Sequence, residues 1–399
     1  MASPFSDVPL APADPILGLT EAFQADTNPK KVNLGVGVYQ DAQGKVPVLK
    51  VVREAEKRWY EKEDSKSYLP IDGVPAYRSE VQKLLFGADS ALLSEGRVVT
   101  VQALGGTGAL KLGADFLRRF LPDSGLWLSA PSWENHRALF EAAGYKVNEY
   151  PYYDANSHGL DFQSMRSALL GLPAKSIVVL HACCHNPTGV DLDAEQWAEV
   201  VRVVKERQLV PFVDFAYQGF GDGIEEDATA LRAFSAANVP YLVASSFSKS
   251  FSLYRERVGA LTLVTSSADE AKRVTSQLKR VIRTNYSNPS SHGGQVVALV
   301  LGDPELRKQW EGELAEMRER IQRMRGLFVE QLAKQGVKRD FSFIARQKGM
   351  FSYSGIELDR VRRLRQEFGL YIVDSGRICV AAMNEKNLGY ITESIAAVL

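Results

Sequence analysis

Cysteine is scarce in this chain of 399 residues: three in all, an odd and sparse set that cannot frame a disulfide-stapled fold and that stays free in a reducing compartment. There is no excess of either charge. Forty-eight Lys and Arg balance 48 Asp and Glu, so no net field draws the chain toward nucleic acid or an anionic membrane, and a charged partner must be recognised locally. No apolar run reaches the roughly 20 residues that span a bilayer. The opening Met1-Ala2-Ser3-Pro4-Phe5-Ser6-Asp7 has neither a basic leader nor an apolar stretch of signal-peptide length. Together these absences predict a cytoplasmic protein with no nucleic-acid partner, no membrane partner and no metal framework. Internal repeats and low-complexity tracts are absent as well.

What is present is a globular composition, 45% apolar and 24% charged, on a chain longer than one hydrophobic core usually supports. Two domains are expected. Pro4, Pro9, Pro12 and Pro15 crowd the first fifteen residues and forbid a helix there, which predicts an extended arm. Between about 95 and 265, short β-branched runs at 98–101, 126–128, 177–180, 210–213, 241–244 and 260–264 alternate with amphipathic stretches. That alternation predicts an α/β fold whose largely parallel sheet is covered on both faces. Apolar residues at 306, 310, 314, 317, 321, 324, 328 and 332 advance by three or four, the pattern of one long amphipathic helix. Gly312 and Gly326 argue against the rival reading of that stretch, a coiled coil. A small α+β segment follows it.

Four motifs carry chemistry, and each has an ordinary explanation. Gly105-Gly106-Thr107-Gly108 follows a strand and opens a helix, which suits an anion or a plain turn; it is neither G-x-G-x-x-G nor a P-loop. His181-Ala182-Cys183-Cys184-His185-Asn186-Pro187-Thr188-Gly189 leaves another strand. Alternation there turns Cys184 away from its neighbours, and no second Cys/His pair completes a tetrahedral metal site. Asp214 ends an apolar strand, where a carboxylate needs a cation or a strong donor unless it merely caps the next helix. Lys249 follows a strand among hydroxyls and aromatics, where its pKa can fall far enough for imine chemistry, although most lysines are solvated.

All four lie at the carboxyl ends of strands in one inferred sheet, the edge where open α/β sheets hold ligands. Phosphate donors, a carboxylate, a phenol, an amide and a lysine form the set that pyridoxal 5'-phosphate (PLP) requires. At this point the chain resembles the aspartate and aromatic aminotransferase family, class I, of PLP fold type I. The likeness runs from Asp14-Pro15-Ile16-Leu17-Gly18 through Asn33-Leu34-Gly35-Val36-Gly37-Val38-Tyr39 to Ser375-Gly376-Arg377. It implies a large cofactor domain, 47–317, built on a mostly parallel seven-stranded sheet. It also implies a smaller α+β domain, 16–46 and 318–399, and an N-terminal arm, 1–15.

By that resemblance Lys249 is the Schiff-base lysine and proton carrier, and Asp214 pairs with the pyridinium nitrogen. Asn186 and Tyr217 hydrogen-bond the phenolic oxygen, and Trp133 stacks on the ring. Gly106, Thr107, Ser246, Ser248 and Arg257 form the phosphate shell, with Tyr68 added across a homodimer whose active sites are shared. Arg377 grips the substrate's α-carboxylate, with Gly37 at the same end, and Arg283 reaches the distal carboxylate from the other subunit. Read alone, Arg283 belongs to a solvated basic helix face. Val38, Thr107 and Asn288 match the aspartate type, whereas Tyr68-Leu69-Pro70 and 248–252 match the aromatic type. Pro289-Ser290 departs from the two prolines usual beside the distal arginine. The reaction the resemblance implies is transfer of the amino group of L-aspartate or L-glutamate, and of aromatic amino acids, to 2-oxoglutarate or oxaloacetate by a ping-pong mechanism. The alternatives are an aminotransferase that prefers aromatic amino acids and, behind it, a β-lyase or decarboxylase on the same scaffold.

Overall fold

A computed structural model describes residues 3–11 and 16–399; residues 1, 2 and 12–15 of the arm, with Pro12 and Pro15, lie outside the described residues, as does the Asp14-Pro15 start of the family likeness. The apolar runs become strands of one sheet: β1 (Val98–Leu104), β2 (Leu126–Ala130), β4 (Ile177–His181), β5 (Val210–Phe215), β6 (Tyr241–Ser246) and β7 (Val258–Val264). A seventh strand, β3 (Val147–Pro151), was not legible as a run, because this edge strand buries only Val147 and Tyr150. The order is β1-β7-β6-β5-β4-β2-β3. Every pairing is parallel except those of β7, which opposes both β1 and β6. The chain passes from β6 to β7 through the loop 247–257 without a crossover helix, and such a return leaves neighbouring strands antiparallel.

Central strands are buried on both faces. In β4, Ile177 and Val179 join one apolar cluster while Val178 and Leu180 join the other, so the sequence is continuously apolar instead of alternating. Helices α1 (Gly105–Phe120) and α4 (Ala268–Asn285) cover one face, and α2 (Glu134–Ala142) lies beside β2. On the other face lies α3 (Ala194–Arg207), started by a capping box in which Asp193 and Gln196 each satisfy the other's backbone N–H.

The long helix exists as α5 (Pro304–Lys334), with Pro304 in its first turn and the Asp303 carboxylate accepting from Glu305 and Leu306 N–H. All eight apolar positions of the sequence pattern are buried, and they pack into the protein's own core, so the helix is no exposed coiled-coil seam. A Cβ at Gly312 or Gly326 would meet nothing within 4 Å, which puts both on the open face. Beyond it, β8 (Phe351–Tyr353) pairs antiparallel with β9 (Arg377–Cys379), and Val32–Asn33 pairs in parallel with Leu370–Tyr371. Those pairings bring Gly35 and Gly37 beside the C-terminal segment. Among the described residues no helix is long and apolar enough to cross a membrane.

Candidate active site

Register fixes where the site forms. His181 lies opposite Asp214, Asp214 opposite Ala244, Gly259 opposite Ser246, and Val258 opposite Leu104. The carboxyl ends of the parallel strands and the entry to β7 therefore share one edge, and a cavity of about 360 Å³ opens there. Twelve of the residues anticipated from the sequence line it.

At one end are Gly106 and Thr107 in the first turn of α1, with Ser246, Ser248 and Arg257 facing them. The first N–H groups of a helix have no partner within it, so they point outward as donors. Gly105 is needed for this approach: its φ is +69°, and a Cβ there would lie 2.5 Å from Arg257 Nη2. Arg257 Nη1 is held by the Tyr254 carbonyl at 2.8 Å and by Ser248 Oγ at 3.4 Å.

Lys249, Asp214, Tyr217, Asn186 and Trp133 line the middle. The Lys249 Nζ sits 4.9 Å from the centre of the Tyr217 ring. Burial lowers its ammonium to about 8; Asp214 partly opposes that shift, and the charge of Arg257 adds to it. The Asp214 carboxyl is pushed up by burial, but the hydrogen bond from His136 at 2.9 Å and the nearby positive charge, that of Lys249 included, together hold it below the ordinary range. Burial, followed by the charge of Asp214, pushes the Tyr217 phenol well above its ordinary value, so it is a neutral donor at physiological pH.

A buried chain of hydrogen bonds fixes the direction of the Asp214 contact. Asn186 N–H donates to His181 Nδ1 (3.4 Å), His181 Nε2 to Ser132 Oγ (3.3 Å), Ser132 Oγ to His136 Nδ1 (2.9 Å), and His136 Nε2 to Asp214. Every member is satisfied in this arrangement, and burial lowers His181 to about 3, which keeps that imidazole neutral. The relay delivers an N–H to one carboxylate oxygen and leaves the other side of Asp214 to the cavity.

At the far end stand Gly37 and Arg377. Arg377 is 1% exposed, donates to Gly35 O at 2.7 Å and to Asn186 Oδ1 at 3.2 Å, and has an Nε with no partner among the described residues. A fixed guanidinium with an unused donor is a receptor for a carboxylate.

Tyr68 and Arg283 are not brought in. Tyr68 is 92% exposed, and Arg283 is exposed in the last turn of α4, contacting Ser287. They share a side of the molecule, since Asp72, just beyond Tyr68, is bridged at 3.2 Å to Lys279 of α4. The sequence reading missed Phe351, Tyr254 and His136. Phe351 and Tyr254 line the cavity, and His136 reaches it through Asp214. A lone aromatic or histidine carries no sequence signal of that kind, although His136 does lie three residues beyond Trp133 on α2.

One expectation is corrected. The chain leaves β4 at His181 and bends, so strand alternation does not separate the thiols: Cys183, Cys184 and Asp227 bring ligand-type atoms within 4.8 Å of one another. Asp227 already accepts from the N–H groups of Gly219, Gly221 and Asp222, and burial raises the Cys184 thiol to about 11 and Cys183 well above its usual value. The cluster is accounted for by a loop anchored on Asp227 and two protonated thiols. Asp214, in turn, lies within β5 and caps no helix.

The model of the family "aminotransferase class I and II" matches residues 29–395. The chain is 62% identical over 395 residues, 99% of each chain, to the aspartate aminotransferase of Pseudomonas aeruginosa. It is 49% identical to the aromatic-amino-acid aminotransferase of Escherichia coli, covering 99% of this chain and 100% of that one. A crystal structure of the aromatic-amino-acid aminotransferase from Burkholderia pseudomallei, covalently bound to pyridoxal phosphate, superposes with a TM-score of 0.97 at 63% identity over 100% of both chains. With the family model matched along nearly its whole length, this chain belongs to the class I and II aminotransferases.

Proposed function

We propose that the protein is a PLP-dependent aminotransferase. It moves the amino group of L-aspartate or L-glutamate, and of aromatic amino acids, to 2-oxoglutarate or oxaloacetate by a ping-pong mechanism. The observation that carries this is one cavity holding a donor cradle at one end, an amine of lowered pKa beside a carboxylate in the middle, and an incompletely used guanidinium at the other end. The residues fit the cofactor: the space beside Gly105 that a Cβ would fill is the space its phosphate cradle needs. When bound, PLP supplies an aldehyde for the amino group and a ring that accepts the electrons of the substrate's α-carbon.

In this reading Gly106, Thr107, Ser246, Ser248 and Arg257 bind the phosphate. Asp214 would face the ring nitrogen and favour its protonated form, and the His181–Ser132–His136 relay keeps the carboxylate aimed. Asn186 and Tyr217 donate to the phenolic oxygen, and Trp133 covers the ring. Lys249 would hold the cofactor through Nζ, and its amine, when free, would take up and return the proton at the substrate's α-carbon. Arg377 receives the α-carboxylate beside Gly37.

Lys249 must be neutral to attack an aldehyde, and a protonated amine has no lone pair. For the cofactor-free protein, the rate of covalent PLP capture should therefore rise with pH and reach half its plateau near pH 8. A midpoint near the ordinary lysine value, in stopped-flow absorbance, would remove the argument from burial.

Tyr68 and Arg283 serve the site of a second copy in a homodimer. The proposal is supported by their exposure on a common side and by exposed Phe5, Val8 and Leu10 in the arm. Arg283→Ala should lower kcat/KM for aspartate by about 100-fold, the scale of losing one partner of a buried charge pair, and leave phenylalanine nearly unchanged. Steady-state rates with both donors and 2-oxoglutarate test this together with the activity itself. No turnover of aspartate would favour an aminotransferase that prefers aromatic amino acids, and release of carbon dioxide or free ammonia would favour the decarboxylase or lyase reading. The division into an arm, a small domain of 16–46 and 318–399 and a large domain of 47–317 belongs to the same proposal. So does a cytoplasmic location, which three free buried thiols suit.

A further inference from the structure

Helix α5 braces the rim of the cavity at three points. Trp310 Nε1 donates to the Ser250 carbonyl at 2.8 Å, directly behind Lys249, and Arg318 Nη1 donates to the Gly219 carbonyl at 2.9 Å, two residues beyond Tyr217. The third brace is Arg325, and it is unusual. Its side chain is 1% exposed, yet among the described residues it has no carboxylate partner. It donates to the carbonyls of Ile344 (3.0 Å), Gly349 (2.7 Å) and Phe351 (2.6 Å) and to the hydroxyl of Ser352. A buried guanidinium without a counter-ion is costly, and only an array of fixed dipoles offsets it. A core needing no more than apolar filling would not place a cation there.

What the grip controls is Phe351. Its ring lies 4.2 Å from the guanidinium carbon of Arg377 and meets the Tyr217 ring edge-on at 6.2 Å. It also closes over Gly37 so tightly that a Cβ on that glycine would fall 2.5 Å from the Phe351 Cζ. Arg377 donates to Gly35 O and Asn186 Oδ1 and lies 3.8 Å from the Glu134 carboxylate, while its guanidinium carbon sits over this ring.

We propose that Arg325 is a positioning residue for the carboxylate end of the substrate: it fixes the backbone at 351–352, and the Phe351 ring then sets the plane in which Arg377 presents its fork. The inference rests on the reading that Arg377 receives the α-carboxylate. Lysine cannot replace Arg325, because a single ammonium cannot reach the four acceptors that two guanidinium nitrogens share.

The test uses the holoenzyme and the variants Arg325→Lys, Phe351→Leu, their double mutant and Arg377→Leu. Arg325→Lys and Phe351→Leu should each raise KM about tenfold by a common factor for aspartate, phenylalanine and 2-oxoglutarate, which all present the same carboxylate. The visible spectrum of the cofactor and kcat should stay close to wild type. The double mutant should be no worse than the poorer single, since both act through one ring. A loss of thermal stability and of kcat in Arg325→Lys with KM unchanged would mean a purely structural role and overturn the proposal. Should Arg325→Lys not fold, Ser352→Ala, which removes one of the four acceptors, decides: a KM rise of about threefold in the same pattern supports the proposal, and wild-type KM overturns it. Arg377→Leu separates the two levels. If it leaves KM unchanged, the reading of Arg377 itself fails; if it raises KM while the other variants do not, only the role of Arg325 fails.

Discussion

Replacing Lys249 by Ala is expected to lower kcat for transamination by at least about 10⁴-fold, the upper range for a positioned proton-transfer group, while the protein still retains PLP. The reason lies in how the site divides its labour. The cradle of Gly106, Thr107, Ser246, Ser248 and Arg257 and the carboxylate of Asp214 are untouched by the change, so the groups that bind the cofactor's two ends remain. What disappears is the only lysine among the described residues that lines the cavity, with an amine brought by burial to about 8 and able to be neutral near physiological pH. Lys249→Arg separates charge from nucleophilicity: it keeps a cation beside Asp214, cannot lose its proton, and should be as inactive as the alanine variant. Retained activity in either variant, measured by production of the 2-oxo acid, would remove Lys249 from the reaction.

The second large effect is expected at Asp214. Asp214→Asn is nearly isosteric, and its Oδ1 can still accept from His136. That contact forces its amide N–H₂ to face the cavity, where a protonated ring nitrogen also presents a donor. Hydrogen-bond polarity is thereby reversed at the one place where the ring's charge must be matched, and an unpaired buried charge costs about 3–5 kcal/mol, or roughly 10²–10⁴ in rate. Asp214→Glu keeps the charge and should recover part of the loss. A purely structural Asp214 would show the reverse order, with the isosteric amide tolerated and the longer acid not. Comparing kcat for the two variants at saturating substrate distinguishes these cases.

The strand ends were legible because the chemistry of each motif begins where an apolar run stops, and parallel strands bring those stops to one edge. Helix α5 was legible for a similar reason: its apolar positions repeat at helical spacing, and all eight are buried. The reversal of β7 was not legible, because direction depends on the connection between strands and not on the strand's own residues. Strand β3 escaped because an edge strand with polar Asn148 and Glu149 makes no apolar run. Arg325 was hidden in a different way. An arginine just after Met324 on the flank of an apolar stripe normally snorkels to water, and only the fold shows four acceptors closing around it. His136 needed the pairing of β4 with β5 to place His181 and Asp214 side by side. Tyr68 and Arg283 were named from the family likeness alone, and their exposure on a single chain is what a shared site requires of them.

The central claim is that one amine at the sheet edge, that of Lys249, holds the cofactor. Borohydride reduction of the purified holoenzyme followed by proteolysis and mass spectrometry reads this directly, since reduction makes the lysine–cofactor bond permanent. The account predicts a single pyridoxyl-modified peptide, spanning Lys249, and its absence from the Lys249→Ala protein. Modification of a different lysine, or none in an active and visibly coloured preparation, would contradict it.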